Sequence, residues 1–169
     1  MKNYKKILII VLIVFSLFII RHIFINSSFF KMKILYVNPI KTNQIFDKYI
    51  YDEYFNHVGI MFYEGEEKEV KIPDKINNKP VYSIDDSAFY GNATLEKIIV
   101  PNSVIRIGHQ SFIGNNNLKE VYLPDNIVDI GPYSFDVCPK LKKIYVKKGS
   151  KTEKTLKNTK FKKYIEYRE

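Results

Sequence analysis

Cysteine is almost absent from this chain, and the lone Cys138 can form no intrachain disulfide and no cysteine-based metal cluster. Stability therefore has to come from packing. Tryptophan is missing, and the three histidines, His22, His57 and His109, lie too far apart in sequence for any two to have ligand spacing, so no metal centre is expected. No P-loop, nucleophile elbow or zincin motif accompanies carboxylates such as Asp85, Asp86 and Asp129. Neither an enzyme nor a cofactor is expected. What the chain does have is apolar content: 46% hydrophobic and 15% aromatic residues over 169 positions exceed what a disordered chain carries, and point to one folded domain.

Acidic side chains are absent from residues 1–33, which carry six Lys/Arg. Residues 34–141 hold ten basic against fifteen acidic groups, and residues 142–169 eleven basic against three acidic. The formal charge of +9 thus belongs to the two ends, and the mildly acidic middle gives no reason to expect nucleic acid as a partner.

Lys2, Lys5 and Lys6 precede the run Ile7 to Ile20, ILIIVLIVFSLFII, in which only Ser16 is not strongly apolar. At about 1.5 Å per residue this run reaches roughly 21 Å, and extending it to Ile25 gives roughly 28 Å against a hydrocarbon core of ~30 Å. Both a signal peptide and a signal anchor fit. The only small residues placed for cleavage, around Ile25-Asn26-Ser27-Ser28, are crowded by Ile and Phe, which favours an uncleaved transmembrane anchor. The lysines would then be cytoplasmic and everything after the run extracytoplasmic. No Cys follows to carry a lipid.

The strongest signal is internal. Phe89, Phe112 and Phe135 are 23 residues apart, and five further apolar columns keep that interval, among them Ile84, Ile107 and Ile130, and Leu95, Leu118 and Leu141. Each copy contains L-x-x-[IV]-x-[VL], which puts alternate late side chains on one face of a short strand. One copy cannot bury that face alone. Stacking copies at ~4.8 Å lays each apolar column over the next, with roughly 1.5 to 3 kcal/mol available per fully buried side chain.

The pattern V-x-x-I-G-x-x-[AS]-F-x-x-[NC]-x-x-L-x-x-[IV]-x-[LV]-P resembles the leucine-rich repeats of the BspA type, found in surface proteins of bacteria and some protists. Upstream, GIMFYEGEEKEVKIPDKINNKPVYSI (Gly59 to Ile84) resembles that family's opening unit. The resemblance covers roughly residues 58–150 and implies a leucine-rich-repeat solenoid, mainly β, of short parallel strands stacked with turns or single helical turns, preceded by an N-terminal transmembrane helix or signal segment. Two positions depart from it. Asp85 replaces the Gly found at 108 and 131, and Lys147 stands where Pro73, Pro101 and Pro124 lead one to expect proline, which reads as the end of the solenoid. Cys138 occupies the column of Asn92 and Asn115, where the resemblance implies an inward, structural side chain.

The expected organisation is residues 1–27 as signal anchor or signal peptide, 28–57 as linker and N-terminal cap, 58–148 as repeats, and 149–169 as a basic C-terminal cap or tail. Strands are expected near 58–63, 69–72, 96–100, 119–123 and 142–146. The stretch 34–57, with FDKYIYDEYF, suits a short capping helix, although its Ile, Tyr and Phe spacing fits either period. The tail has Leu156, Phe161, Tyr164 and Ile165 at loosely helical spacing among lysines.

Between the inward columns the outward residues form three rows: Glu96, Lys119, Lys142; Lys97, Glu120, Lys143; and Ile99, Tyr122, Tyr145. Alternating charge beside an Ile/Tyr/Tyr strip suits an interface with a protein or glycan. The plainer reading is that these pairs solubilise and stitch the sheet. The basic tail likewise either keeps the solenoid end from stacking or contacts an anionic surface. Two functions follow as expectations: a membrane-anchored or secreted cell-surface module for adhesion or recognition, or a structural envelope protein assembling through its repeats.

Overall fold

Two apolar clusters recur in every 23-residue unit, so each turn of chain has two segments to bury, and the fold gives each its own sheet. The computed structural model describes residues 39–169. The expected N-terminal anchor lies outside the described residues, and within them no helix is long and apolar enough to cross a membrane. The V-x-x-I cluster supplies β6 (Lys79–Ile84), β8 (Arg106–Ile107) and β10 (Asp129–Ile130), which pair in parallel and follow β3 (Val58–Tyr63) in a sheet ordered β3-β6-β8-β10 from that strand onward. The L-x-x-[IV] cluster supplies β7 (Lys97–Ile99), β9 (Glu120–Tyr122) and β11 (Lys143–Lys147), which with β4 (Glu69–Lys71) and β12 (Ile165–Arg168) form a five-stranded parallel sheet. A short β5 (Lys75–Ile76) pairs antiparallel with β6.

Between the sheets, the core columns are closed to solvent. Val81, Val104 and Ile127, and Leu95, Leu118, Ile98, Val121 and Ile144, are buried. The phenylalanine column forms a ring ladder, with centroids 5.2 Å apart for both Phe89–Phe112 and Phe112–Phe135. The ladder is longer than the 23-residue period reveals. Tyr63 stacks on Phe89 at 4.9 Å and Phe161 meets Phe135 edge-on at 5.3 Å, both across 26 residues, and such ring pairs add about 0.5–1.5 kcal/mol each beyond area burial.

Within the turns that connect the sheets, Phe89, Ser111, Phe112, Asn115 and Ser134 are buried, so carbonyls on that inner side need donors. A side-chain column provides them. Asn92 Nδ2 donates to Gly65 O (2.7 Å), Asn115 Nδ2 to Phe89 O (2.8 Å) and Cys138 Sγ to Phe112 O (3.1 Å), each reaching the preceding coil. Serines repeat the device: Ser111 Oγ donates to Asp85 O (3.0 Å) and Ser134 Oγ to Gly108 O (2.9 Å). Coils approach so closely at this corner that a Cβ on Gly131 would meet Gly108 C at 2.6 Å, and one on Gly108 would meet Asp85 C at 2.7 Å. One coil earlier, Gly59 lies opposite Ser83, and a Cβ there would meet Ser83 Oγ at 2.6 Å and the Asp85 carboxylate at 2.7 Å.

Three features differ from the sequence expectations. The first is the stretch read as a capping helix, which is a hairpin: β1 (Lys41–Phe46) and β2 (Tyr49–Glu53) pair antiparallel and extend the sheet from β3. Alternation decides it, since Tyr49 and Tyr51 are buried while Ile50 and Asp52 are not. Second, the ladder does not stop at Lys147. Proline has no N–H to donate to a strand neighbour, and the lysine lets β11 run on to Lys147 and pair with Arg168 of β12. Third, the tail is only partly helical: α1 (Lys151–Lys157) and a 3₁₀ turn (Lys160–Tyr164) precede β12. Helix α1 is tied to the last repeat by Thr152, whose hydroxyl donates to Pro124 O and accepts from Ile127 N (3.0 Å), and by Thr155 Oγ1, which donates to Ile127 O (3.2 Å).

Each coil also places two residues in the left-handed region: Ser87, Gln110 and Tyr133 at the first position, and Gly91 (φ 63°), Gly114 (φ 76°) and Val137 (φ 52°) at the second. A β-branched residue there is strained by about 1–2 kcal/mol, and Val137 is largely exposed, so little packing compensates. Val137→Gly is expected to stabilise by about 1 kcal/mol after the backbone entropy of glycine is counted, and Gly114→Val to destabilise by a similar or larger amount, as read by urea denaturation.

Glu153 gives a pH signature. Its carboxylate accepts from Lys157 Nζ (2.7 Å), Tyr167 OH (2.8 Å) and Gly149 N (2.5 Å), which hold its pKa down to about 2. The unfolded value is about 4.3, so this contribution is complete above that pH and is lost as pH falls toward 2. Amide protection factors in α1, taken relative to the intrinsic exchange rate at each pH, should fall over that window, and Glu153→Gln should remove this pH dependence.

Candidate interaction face

In the five-stranded sheet the inward residues Val70, Ile98, Val121 and Ile144 are buried, so their neighbours must point out. Register assembles these into rows. Lys97 lies opposite Glu120 and Glu120 opposite Lys143, while Ile99 lies opposite Tyr122 and Tyr122 opposite Tyr145. Glu96, Lys119 and Lys142 come just before the strands, with Lys119 N donating to Glu96 O (2.8 Å) and Lys142 N to Lys119 O (3.0 Å). By alternation with the buried column, Lys97, Ile99, Glu120, Tyr122, Lys143 and Tyr145 share one face, with Glu96, Lys119 and Lys142 next to it along the chain.

The rows extend beyond the three repeats. At one end β4 adds Glu69 opposite Lys97 and Lys71 opposite Ile99, and at the other β12 adds Glu166 opposite Tyr145. The period of 23 misses both because the flanking coils have different lengths: Ile144 pairs with Ile165, only 21 residues on. The apolar strip is thus bounded by Lys71 and Glu166.

Ion pairs cross the strands throughout: Lys97–Glu69 at 3.0 Å, Lys119–Glu96 at 2.5 Å, Lys68–Glu96 at 3.6 Å and Lys143–Glu166 at 3.5 Å. Lys119 and Lys68 draw the Glu96 carboxyl below its ordinary range, and Glu166 raises the Lys143 ammonium. Such exposed pairs are worth little in stability, about 0–1 kcal/mol, but they fix where charge is displayed. At the centre, Tyr122 and Tyr145 stack with centroids 4.3 Å apart. Tyr122 OH donates to Glu120 (3.2 Å), and partial burial together with that carboxylate pushes the phenol up to about 12. Lys97 lies 5.2 Å over the Tyr122 ring and Lys143 5.7 Å over that of Tyr145. The tyrosines are half-buried among lysine stems rather than fully exposed, and their orientation is set before any partner arrives.

The opposite sheet has a feature that the sequence reading did not identify. Arg106 lies 3.8 Å from Asp85, 3.5 Å from Asp86 and 3.4 Å from Asp129, joining three consecutive coils. Burial raises the Asp85 pKa, opposed by a hydrogen bond from Ser83 and by Arg106. These are the carboxylates that no catalytic motif accompanies in the sequence, and the structure gathers them around a guanidinium. The clue was available in part, since Arg106 and Asp129 occupy the same position of successive copies.

Other candidate chemistry resolves into packing. His109 meets the Tyr133 ring edge-on at 5.5 Å, and among the described residues no group of three or more His, Cys, Asp or Glu side chains is placed to hold a metal. His57 is buried between Tyr54 (4.5 Å) and Tyr82 (5.1 Å), and desolvation lowers its pKa to about 4. Asn92, the asparagine of an N-x-T triplet, uses Oδ1 to accept from Thr94 N (3.1 Å) and Leu95 N (2.9 Å), while its amide donates to Gly65 O.

Parallel two-sheet coils with inward Leu, Phe and Asn columns define a leucine-rich-repeat protein. The model of the BspA-type leucine-rich repeat region matches residues 60–166 in six copies, and the chain belongs to that family. The match reaches into β12, in accord with the ladder continuing past Lys147. Among solved structures, the leucine-rich repeat protein of T. pallidum is 26% identical with a TM-score of 0.57, over 62% of this chain and 53% of its own. A leucine-rich cell surface protein of Faecalibacterium prausnitzii is 25% identical with a TM-score of 0.52, over 63% of this chain and 33% of its own. A leucine-rich repeat protein of Bacteroides capillosus shares the fold at 21% identity and a TM-score of 0.63, over 76% of this chain and all of its own. This chain therefore matches about half of the first relative and a third of the second. No curated protein sequence matches it.

Cys138 is buried, donates to Phe112 O, and has its thiol pushed up to about 11, mainly by desolvation. A thiol reagent at neutral pH is expected to leave it unmodified in the folded protein and to modify it in denaturant, as followed by intact-mass measurement. Rapid labelling of the folded chain would show that this corner opens.

Proposed function

We propose that the chain is a non-enzymatic recognition module displayed on the outer side of a cell envelope, which binds a protein or glycan through the outward face of its five-stranded sheet. The observation that carries this reading is the stacked Tyr122–Tyr145 pair in its frame of crossed charges. Tyrosine rings held by register offer contact area with little rotamer entropy left to lose, and the flanking Lys and Glu set which partner charges fit. The apolar run at residues 7–20, read as an uncleaved anchor, and the description of the F. prausnitzii relative as a cell surface protein support the location. Lys148, Lys151, Lys154 and Lys162 are exposed on the terminal coil and suit additional contact with an anionic wall polymer or headgroup layer. The alternative, assembly of repeats end to end, is less well supported: an antiparallel hairpin precedes the first coil and pairs onto it at one end, and α1 packs against the last repeat at the other.

The test uses the full chain in nanodiscs, presented to arrayed envelope proteins and surface glycans. Retention of a defined ligand is expected, and Tyr122→Ala with Tyr145→Ala should weaken it at least about tenfold, the effect of losing a central aromatic anchor, while the circular dichroism stays that of the parent. Equal retention by parent and double variant would remove this face from the function.

A further inference from the structure

Besides the two sheets, a repeated backbone rung joins each coil to the next. Phe89 N donates to Ser111 O (2.8 Å) and Phe112 N to Ser134 O (2.8 Å), while Gly91 N donates to Ile113 O (2.9 Å) and Gly114 N to Asp136 O (3.0 Å). Each coil thus offers two N–H groups to its successor, which meets them with two carbonyls. The last regular coil repeats the donors without the acceptors: the N–H groups of Phe135 and Val137 have no hydrogen-bond partner among the described residues. Val137 keeps the left-handed backbone of Gly91 and Gly114, so the chain turns there as it does in the earlier coils and aims the same pair of donors toward the terminal coil.

The terminal coil does not close this place. It lays Phe161 edge-on against the Phe135 ring, but its backbone runs through the 3₁₀ turn Lys160–Tyr164 and brings no carbonyl to the open donors. A cavity of about 420 Å³ remains between the two segments, with Phe135 and Val137 on one side and Phe161, Lys163 and Tyr164 on the other. That volume falls within the roughly 300–1,000 Å³ usual for small-ligand sites. Its lining is mostly apolar and aromatic. Asp136 is the one acid in it and is paired with Lys160 (2.5 Å), whereas Lys163, 4.8 Å over the Tyr164 ring, has no acidic partner among the described residues. Unmatched N–H groups beside an uncompensated ammonium call for an oxygen anion, since hydrogen bonds to an ionised acceptor are about twice as strong as those to a neutral one. The Val137, Phe161 and Tyr164 walls call for an apolar body behind that anion.

We propose that the open rung between the last repeat and the terminal coil binds a small organic carboxylate with an apolar or aromatic body, its oxygens accepting from Phe135 N and Val137 N and its charge facing Lys163. This site is separate from the tyrosine face of the five-stranded sheet and needs nothing from it. The test is a titration of the ¹⁵N-labelled full chain, held in uncharged detergent micelles, with phenylacetate as the probe, followed by the amide resonances. The expected result is a saturable shift of the Phe135 and Val137 amides. Acetate, which lacks the apolar body, should bind at least about tenfold more weakly, and 2-phenylethanol, which lacks the charge, should leave both amides in place. Lys163→Gln, a change at an exposed position that leaves the fold intact, should weaken phenylacetate several-fold. The Tyr122→Ala, Tyr145→Ala double variant should bind it as the parent does, so this site and the recognition face stand or fall separately. Absence of a saturable shift at 135 and 137 overturns the proposal, as does an equal response to 2-phenylethanol. Shifts spread along Lys148, Lys151 and Lys154 without these two amides would reduce the effect to general attraction by the basic coil. Tighter binding of galacturonate, or of a peptide ending in phenylalanine, would assign the cavity to a glycan or to a protein terminus, and each of these outcomes also overturns the small-carboxylate reading.

Discussion

The fixed step from one coil to the next is the constraint on which everything else depends. Two parallel sheets impose it, and the corner between them allows no other spacing, since Gly131 lies against Gly108 with no room for a Cβ. Once that step is set, side chains at equivalent positions must stack, and the chemistry of each column is decided by its surroundings. Inward columns are Leu, Ile, Val and Phe because they face one another in a dry interior. The Asn92, Asn115 and Cys138 column donates because buried carbonyls lie within its reach. Outward columns are free to vary, and there the Lys, Glu and Tyr rows appear.

Much of this was legible in the sequence because the period is strict where the environment is most demanding. Three phenylalanines at equal intervals leave few alternatives, and the inward role of Cys138 follows from its column. Legibility fails where the step is kept but the loop length changes. Tyr63 and Phe161 extend the ring ladder at intervals of 26 residues, and Ile165 continues the strand ladder at 21. A scan for a single period passes over all three. The hairpin at 41–53 was ambiguous for a different reason: alternating burial distinguishes strand from helix only once the buried face is known, and Tyr is compatible with either side.

The outward face shows how register produces rigidity. Lys97, Ile99, Glu120, Tyr122, Lys143 and Tyr145 alternate with the buried column, and the fold adds that Tyr122 and Tyr145 are stacked and flanked by Lys97 and Lys143. Their orientation needs the backbone register and little else. On the other sheet, Arg106 and its three aspartates use the same stacking for a different purpose, binding consecutive coils to one another.

The serine and glycine corner has an implication for how such chains change over time. Ser134 reaches the Gly108 carbonyl just as Ser111 reaches that of Asp85, so each unit presents to its successor the same acceptor that it takes from its predecessor. A duplicated unit inserted between Pro101 and Pro124 would find matching surfaces above and below, and a deleted one would leave no gap. Unequal recombination can therefore lengthen or shorten the array by whole turns, altering the span of the tyrosine strip while leaving both terminal structures as they are.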